Sequence, residues 1–474
     1  MRPIIPNHRP AQGRVVTSVT TATMLGLAFG WNVDAAAQTR TIERTIQVST
    51  TGVDGDANRD TVDPFVAYNP HRGEYLVAWS ADGLATDNET EIFAQRLGPT
   101  GSPRGAAIRV SVTGAEGDAA RGTFSPAIAY NERTREYLVT WRADALATDE
   151  EFEVFGQRLS ATGALLGENF RLSTTGADGD ANRDAFPPSV ASNARSGEYL
   201  VVWSADSLAT DEDFEIFAQR VGPRGALLGP AVRVSVTGPE DDAARSARQA
   251  GVVYNPRKNE YLVTWVSDHL NDDENEIFAQ RLGAQGTLLG TNFRVSTTGT
   301  DGDPNRDAFP PSVTVNSDNG KYLVIWSADA LATDDDYEIF AQRINANGTL
   351  LGRAAQVSET GSTGDPTRQA RQANAAYNPK SKEFLITWLA DGLATDDENE
   401  VFAQRLAANG SRRGGNFRVS YTGTDGDAAR DADGFPPGVV YNAKAGRYLV
   451  VWTADALATD DEFEVFAKQV PGAP

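Results

Sequence analysis

One tryptophan recurs at Trp79, Trp141, Trp203, Trp265, Trp326, Trp388 and Trp452, at intervals of 62, 62, 62, 61, 62 and 64 residues. Self-similarity of this kind restricts a chain to stacked or ringed units, each burying its apolar face against the next. The 474 residues therefore need not be several unrelated domains.

Each unit reads as four short strands. In the third, strand A is Ser189–Ser192, strand B Glu198–Trp203, strand C Glu215–Arg220 and strand D Ala231–Ser235. These are aromatic and β-branched runs bounded by turn residues. Strand B is apolar at successive positions, so both of its faces should be buried, as in a sheet held between two neighbours. Seven such units predict an all-β fold, a seven-bladed β-propeller with four antiparallel strands per blade. The blades are placed at about 64–112, 126–174, 188–236, 250–297, 311–358, 373–421 and 437–470 plus 43–50. The chain ends after a seventh strand C, and the missing strand D lies in Arg44–Ser49. The N-terminal strand should complete the last blade and remove two open edges.

Strand reversal puts the A–B and C–D turns at one end and the B–C loops and D-to-A crossovers at the other. Two carboxylates recur in the B–C loops: Asp82, Asp144, Asp206, Asp268, Asp329, Asp391 and Asp455, then Glu91, Glu153, Glu215, Glu276, Glu338, Glu400 and Glu464. The opposite turns carry cations such as Arg72, Arg257, Lys258, Lys380, Arg412 and Arg413. A disc acidic at one mouth and mildly basic at the other is expected. The residue before the final Glu varies and is aromatic at Phe152, Phe214, Tyr337 and Phe463. It is either plain surface or part of a recognition face.

The odd crossovers hold oxygen ligands at alternate positions: Asp54, Asp56, Asn58 and Asp60; Asp178, Asp180, Asn182 and Asp184; Asp301, Asp303, Asn305 and Asp307. The seventh keeps Asp425, Asp427 and Asp431. Such spacing suits calcium, which takes 6–8 hard oxygens. It is similar to the first half of an EF-hand loop and to the calcium loops of integrin-type propellers. Arg stands where the EF-hand pattern has its turn glycine. The competing reading is a solvated rim whose Asp and Asn shape turns. An Asp–Arg pair that recurs in every crossover reads as a clamp between blades. The alternation of full and reduced loops points to an ancestral two-blade unit.

Catalysis finds little support at this level. His71 and His269 fall in unrelated repeat positions, so neither a zinc cluster nor a serine with a histidine base is in view. No glycine-rich phosphate loop leads from a strand into a helix. A pair of carboxylates suffices for glycoside hydrolysis, but catalytic pairs are unique and these acids repeat. The reading is therefore a non-enzyme.

The sequence Tyr-Leu-Val-Val-Trp, then Glu-Ile-Phe-Ala-Gln-Arg and a glycine turn, resembles a repeat of exported bacterial propeller-like proteins. The resemblance spans 43–470. It implies a repeat type and says little about activity.

Residues 1–37 read as a signal peptide. Arg2, Arg9 and Arg14 precede an apolar stretch centred on Met24–Phe29, and Ala35-Ala36-Ala37 fits a cleavage site. The remainder, 38–474, is read as one propeller. The chain has no cysteine, which excludes disulfides and suits a bacterial periplasm or exterior. No second long apolar run argues for membrane insertion. The formal charge of −22 argues against nucleic acid or an anionic membrane as default partners. The expected function is a monomeric binding or scaffold propeller, stabilised by calcium. A protein, a glycan or a cationic surface would meet its acidic face. A carbohydrate-active hydrolase using paired carboxylates is the alternative, and a structural envelope component is a third reading.

Overall fold

A computed structural model describes residues 44–50, 60–82, 90–114, 121–144, 151–175, 183–206, 214–237, 245–268, 274–298, 306–329, 336–360, 368–391, 398–422, 431–455 and 463–473. They form seven four-stranded antiparallel sheets, a seven-bladed β-propeller. In the second blade strands A to D are Thr123–Asn131, Glu136–Ala143, Glu153–Ser160 and Leu165–Arg171. Strand A of each blade packs against strand A of the next, and the seventh packs against the first. The innermost strands therefore ring a channel.

Strand B is the core, as its unbroken apolar run requires. All of Glu74–Ala81 is buried. Leu200 and Val202 of the third blade pack with Tyr261, Val263 and Trp265 of the fourth. Each recurring Trp sits opposite a Phe of strand C; Trp203 and Phe217 are register partners whose rings stack at 6.5 Å.

The ring closes as expected. Ile46–Gln47 pairs antiparallel with Glu464–Pro471, setting Ile46 opposite Ala467 and Gln47 opposite Phe466. This strand is only two residues long, and a side-chain clamp holds it. Ser49 Oγ donates to Glu464 Oε2, and the Val465 amide donates back to Ser49 Oγ at 2.7 Å.

The same clamp operates in every blade. In the first, Ser111 Oγ and the Thr113 amide donate to Glu91, and Arg109 pairs with it at 2.7 Å. Arg171, Arg233, Arg294 and Arg418 repeat the ion pair. The fifth blade has Gln356 in that place. The seven recurring glutamates are thus buried. This corrects their assignment to an acidic outer mouth.

Strand D alternates. It is two residues long in the first, third and fifth blades and seven in the second, fourth and sixth. The long versions carry Asn169, Asn292 and Asn416. Each grips the backbone of the preceding blade, as when Asn169 donates to the Val110 carbonyl and accepts from the Val112 amide. The two-blade period read from the loops therefore extends into the strands. Strand D of the third blade is Val232–Arg233, shorter than the expected 231–235.

The clamp sets a stability contrast. Glu276→Gln leaves the Arg294 guanidinium without its closest carboxylate and is expected to cost about 2–3 kcal/mol. Glu338→Gln faces no arginine, and burial beside Asp336 already raises the Glu338 pKa; it should cost well under half as much. Denaturant melts of both variants decide. Equal losses would mean that the Ser and Thr bonds carry the clamp without the ion pair.

Candidate functional site

At the crossover end of the channel, one position of strand A is held by Asp63, Ser125, Pro187, Gln249, Pro310 and Gln372 in the first six blades. Here the repeat gives way. Blades three and five enter through Phe-Pro-Pro, and prolines lack the N–H that a ladder needs. Strand A then starts only at Ser189 and Ser312. Blades one, two, four and six bulge instead, between Val62 and Phe65, Phe124 and Ala127, Arg248 and Gly251, and Arg371 and Asn374. Asp63, Ser125, Gln249 and Gln372 take positive φ of 57°, 53°, 56° and 56°. A non-glycine residue there costs on the order of 1–3 kcal/mol, and such strain collects at functional sites.

Asp63 is unlike the repeated acids. Its Oδ2 accepts from Ser125 Oγ at 3.0 Å, and the Ser125 amide donates to Ser80 Oγ at 3.1 Å. Burial pushes its carboxyl up to about 6, against the opposing pull of the Ser125 hydrogen bonds and the Arg142 charge. Arg142 is equally singular. The matching residues of the other blades are Ser80, Ser204, Val266, Ser327, Leu389 and Thr453. Its guanidinium lies 4.5 Å from the ring centre of Phe152, 5.7 Å from Phe124 and 5.9 Å from Phe186. Burial pulls the Arg142 pKa down, while Asp184 and Asp63 support its charge. Asp184 is in turn raised by burial, opposed by the Phe152 amide and by Arg142.

At this mouth two more arginines lie on aromatic rings, Arg248 over Phe214 at 4.5 Å and Arg371 over Tyr337 at 4.9 Å. Phe186 meets Phe214 edge-on at 4.9 Å, and Phe309 meets Tyr337 in the same way. Three of the four variable aromatics of the B–C loops, Phe152, Phe214 and Tyr337, are therefore partnered by arginines on or beside the innermost strands. Arg248, Gln249, Phe309, Arg371 and Gln372 are exposed at this mouth. The result is a rim of rings and donors above one buried acid.

Of the residues read as calcium ligands, Asp60, Asp184, Asp307 and Asp431 are described. Each accepts a hydrogen bond from a backbone amide of the preceding blade: Phe463 at 3.0 Å, Phe152 at 2.9 Å, Asn275 at 2.8 Å and Asn399 at 2.9 Å. They staple blades together. Asp54, Asp56, Asn58, Asp178, Asp180, Asn182, Asp301, Asp303, Asn305, Asp425 and Asp427 lie outside the described residues, as do residues 1–37. The first recurring Asp of each B–C loop is described, and all but Asp268 are buried.

No protein-family model matches the chain, and no curated protein sequence matches it. Solved structures do. A polysaccharide lyase of family PL25, an ulvan lyase, is similar over 91% of this chain and 97% of its own, with a TM-score of 0.54 and 10% identity. Polysaccharide lyase Uly1 is similar over 90% and 92%, with a TM-score of 0.50 and 10% identity. A protein of unknown function from Dyadobacter fermentans DSM 18053 is similar over 91% and 100%, with a TM-score of 0.49 and 10% identity. At this identity the likeness establishes the propeller fold.

The expectation of a non-enzyme is corrected here. Chains sharing this fold include two polysaccharide lyases. The premise of that expectation, that all the acids repeat, also fails. Asp63 has no acidic counterpart at its position in blades two to six.

Asp63 makes the site pH-sensitive in stability. Its carboxyl titrates near 6 when folded and near the ordinary 3.8 when unfolded, so ionisation costs stability as pH rises through that interval. Asp63→Asn removes the cost. Relative to the parent, the variant should gain on the order of 3 kcal/mol between pH 4 and pH 8, read by chemical unfolding. A pH-independent difference would return Asp63 to the ordinary carboxylate range.

Proposed function

We propose that this propeller is a carbohydrate-active enzyme that cleaves glycosidic bonds at its crossover mouth, with Asp63 as the proton donor. The observation that carries the reading is the single unrepeated, buried carboxyl held near pH 6 beside Arg142 at the channel entrance. A general acid works best when its pKa lies near the working pH, so that the protonated form is populated and still gives up its proton. Ser125 fixes the carboxyl by its hydroxyl. Phe124, Phe186 and Phe309 offer faces for sugar C–H surfaces, and Arg248, Gln249, Arg371 and Gln372 offer donors to sugar oxygens. Asp184, beside the same guanidinium, is the second carboxylate that hydrolysis requires. The likeness in fold to polysaccharide lyases supports a glycan as substrate class.

The test is release of new reducing ends from a panel of neutral and acidic polysaccharides between pH 4 and pH 8. Turnover should have a limb near pH 6. Asp63→Asn should lower kcat by about 10²–10⁴-fold with little change in KM. Turnover unaffected by Asp63→Asn, or a panel that binds without being cleaved, would defeat the catalytic assignment.

A further inference from the structure

The end of the ring opposite the candidate site carries a collar of exposed cations, and they are held in a particular way. In four of the seven A–B turns a cation reaches the turn of the next blade, whereas the fifth turn carries Asp318, which accepts from the Tyr377 hydroxyl at 2.8 Å. Arg133 Nη1 donates to the Arg195 carbonyl at 2.6 Å, Arg195 Nη2 to the Pro256 carbonyl at 2.5 Å, and Arg257 Nε to the Ser317 carbonyl at 3.0 Å. Lys444 Nζ reaches the His71 carbonyl at 2.6 Å across the closure of the ring. All four side chains are exposed. Among the described residues none has a carboxylate partner; their fixed contacts are neutral carbonyls. The charges are therefore oriented and left uncompensated. Lys258 and Lys380 stand exposed on the same turns.

The C–D turns open on the same end, and they add a second feature. Leu165, Leu227, Leu288 and Leu350, on four consecutive blades, are each nearly half exposed just beyond those turns. Among the described residues, four of the nine large exposed hydrophobic side chains thus share a face with the cation collar. Cations and partly exposed leucines on one flat face are what an anionic lipid–water interface selects. A soluble polyanion would make use of the charge alone.

The formal charge of −22 does not oppose this. Strand B of the first blade has eight residues and spans about 26 Å at 3.3 Å each. The Debye length at physiological salt is about 8 Å. Acids at the crossover end are screened from anything that meets the turns, and on the turns themselves the exposed Glu132 and Asp318 are outnumbered by Arg133, Arg195, Arg257, Lys258, Lys380 and Lys444.

We propose that the face formed by the A–B and C–D turns docks on anionic bilayer surfaces, peripherally. Face-on docking leaves the crossover mouth turned toward the medium. This assignment does not depend on any catalytic role of Asp63.

The test uses residues 38–474, which include all of the compact unit Glu43–Pro474, with vesicles of phosphatidylglycerol and phosphatidylcholine. The protein should sediment with mixed vesicles at low salt, not with pure phosphatidylcholine, and should be released by about 0.5 M salt. Lys258→Glu with Lys380→Glu should weaken partitioning at least tenfold without altering the thermal melt or any turnover of soluble glycan. Leu227→Ser with Leu288→Ser should weaken it several-fold at unchanged charge. Absence of vesicle binding, equal binding to neutral vesicles, or indifference to the lysine reversals would overturn the proposal. So would capture by soluble polygalacturonate or DNA without any by vesicles. Loss of Asp63-dependent turnover would leave it intact.

Discussion

The buried glutamate that heads every strand C is the interaction on which the ring depends. A carboxylate taken out of water costs several kcal/mol unless it is paired and hydrogen-bonded. Here each one is met by a serine hydroxyl, in the first six blades also by a threonine amide and, in five blades, by a guanidinium. That bonding fixes an outermost strand that is sometimes only two residues long. The N-terminal strand is the extreme case. Two ladder pairs alone would fray, but Ser49 brings the same clamp to Glu464. Closure is therefore the seventh instance of a device that the other blades make within contiguous sequence. It leaves no blade of the ring with a missing outer strand.

A frame so over-determined can tolerate local strain. Four positive-φ residues sit on the innermost strands where the ladder bulges, and neighbouring blades hold them in place. One bulge carries Asp63, and the adjacent one carries the serine that binds it. The unusual residues gather where the frame relaxes. Arg142 stands in a column of small or apolar residues, and Phe-Pro-Pro replaces the bulge in blades three and five. Repetition builds the scaffold, and departures from repetition build the site.

The same contrast explains what could be read from sequence. The seven tryptophans, the four-strand unit and the split last blade were legible because each is written several times over. The recurring carboxylates were legible as a pattern but not in their placement. Sequence reports that a residue is acidic and that it recurs, and both a solvated rim and an internal clamp satisfy that description. Asp63 is not marked by the repeats, because it departs from them. The signal existed, in a column that reads Asp, Ser, Pro, Gln, Pro, Gln down the first six blades. The stacking of Arg142 on Phe152 and Phe186 had no such signal, since it joins a B strand to a loop and to the neighbouring blade.

Formal charge is a poor guide to what this surface attracts. Thirteen of the fourteen recurring B–C carboxylates are buried, and Asp268 is half-buried. They count toward the −22 while projecting little field outward, because guanidinium, hydroxyl and amide groups satisfy the glutamates at close range. The collar cations behave in the opposite way. Their fixed partners are neutral carbonyls, so their full charge reaches solvent. An acidic chain can therefore present a basic face, and the architecture decides which charges are spent inside and which remain to act at a distance.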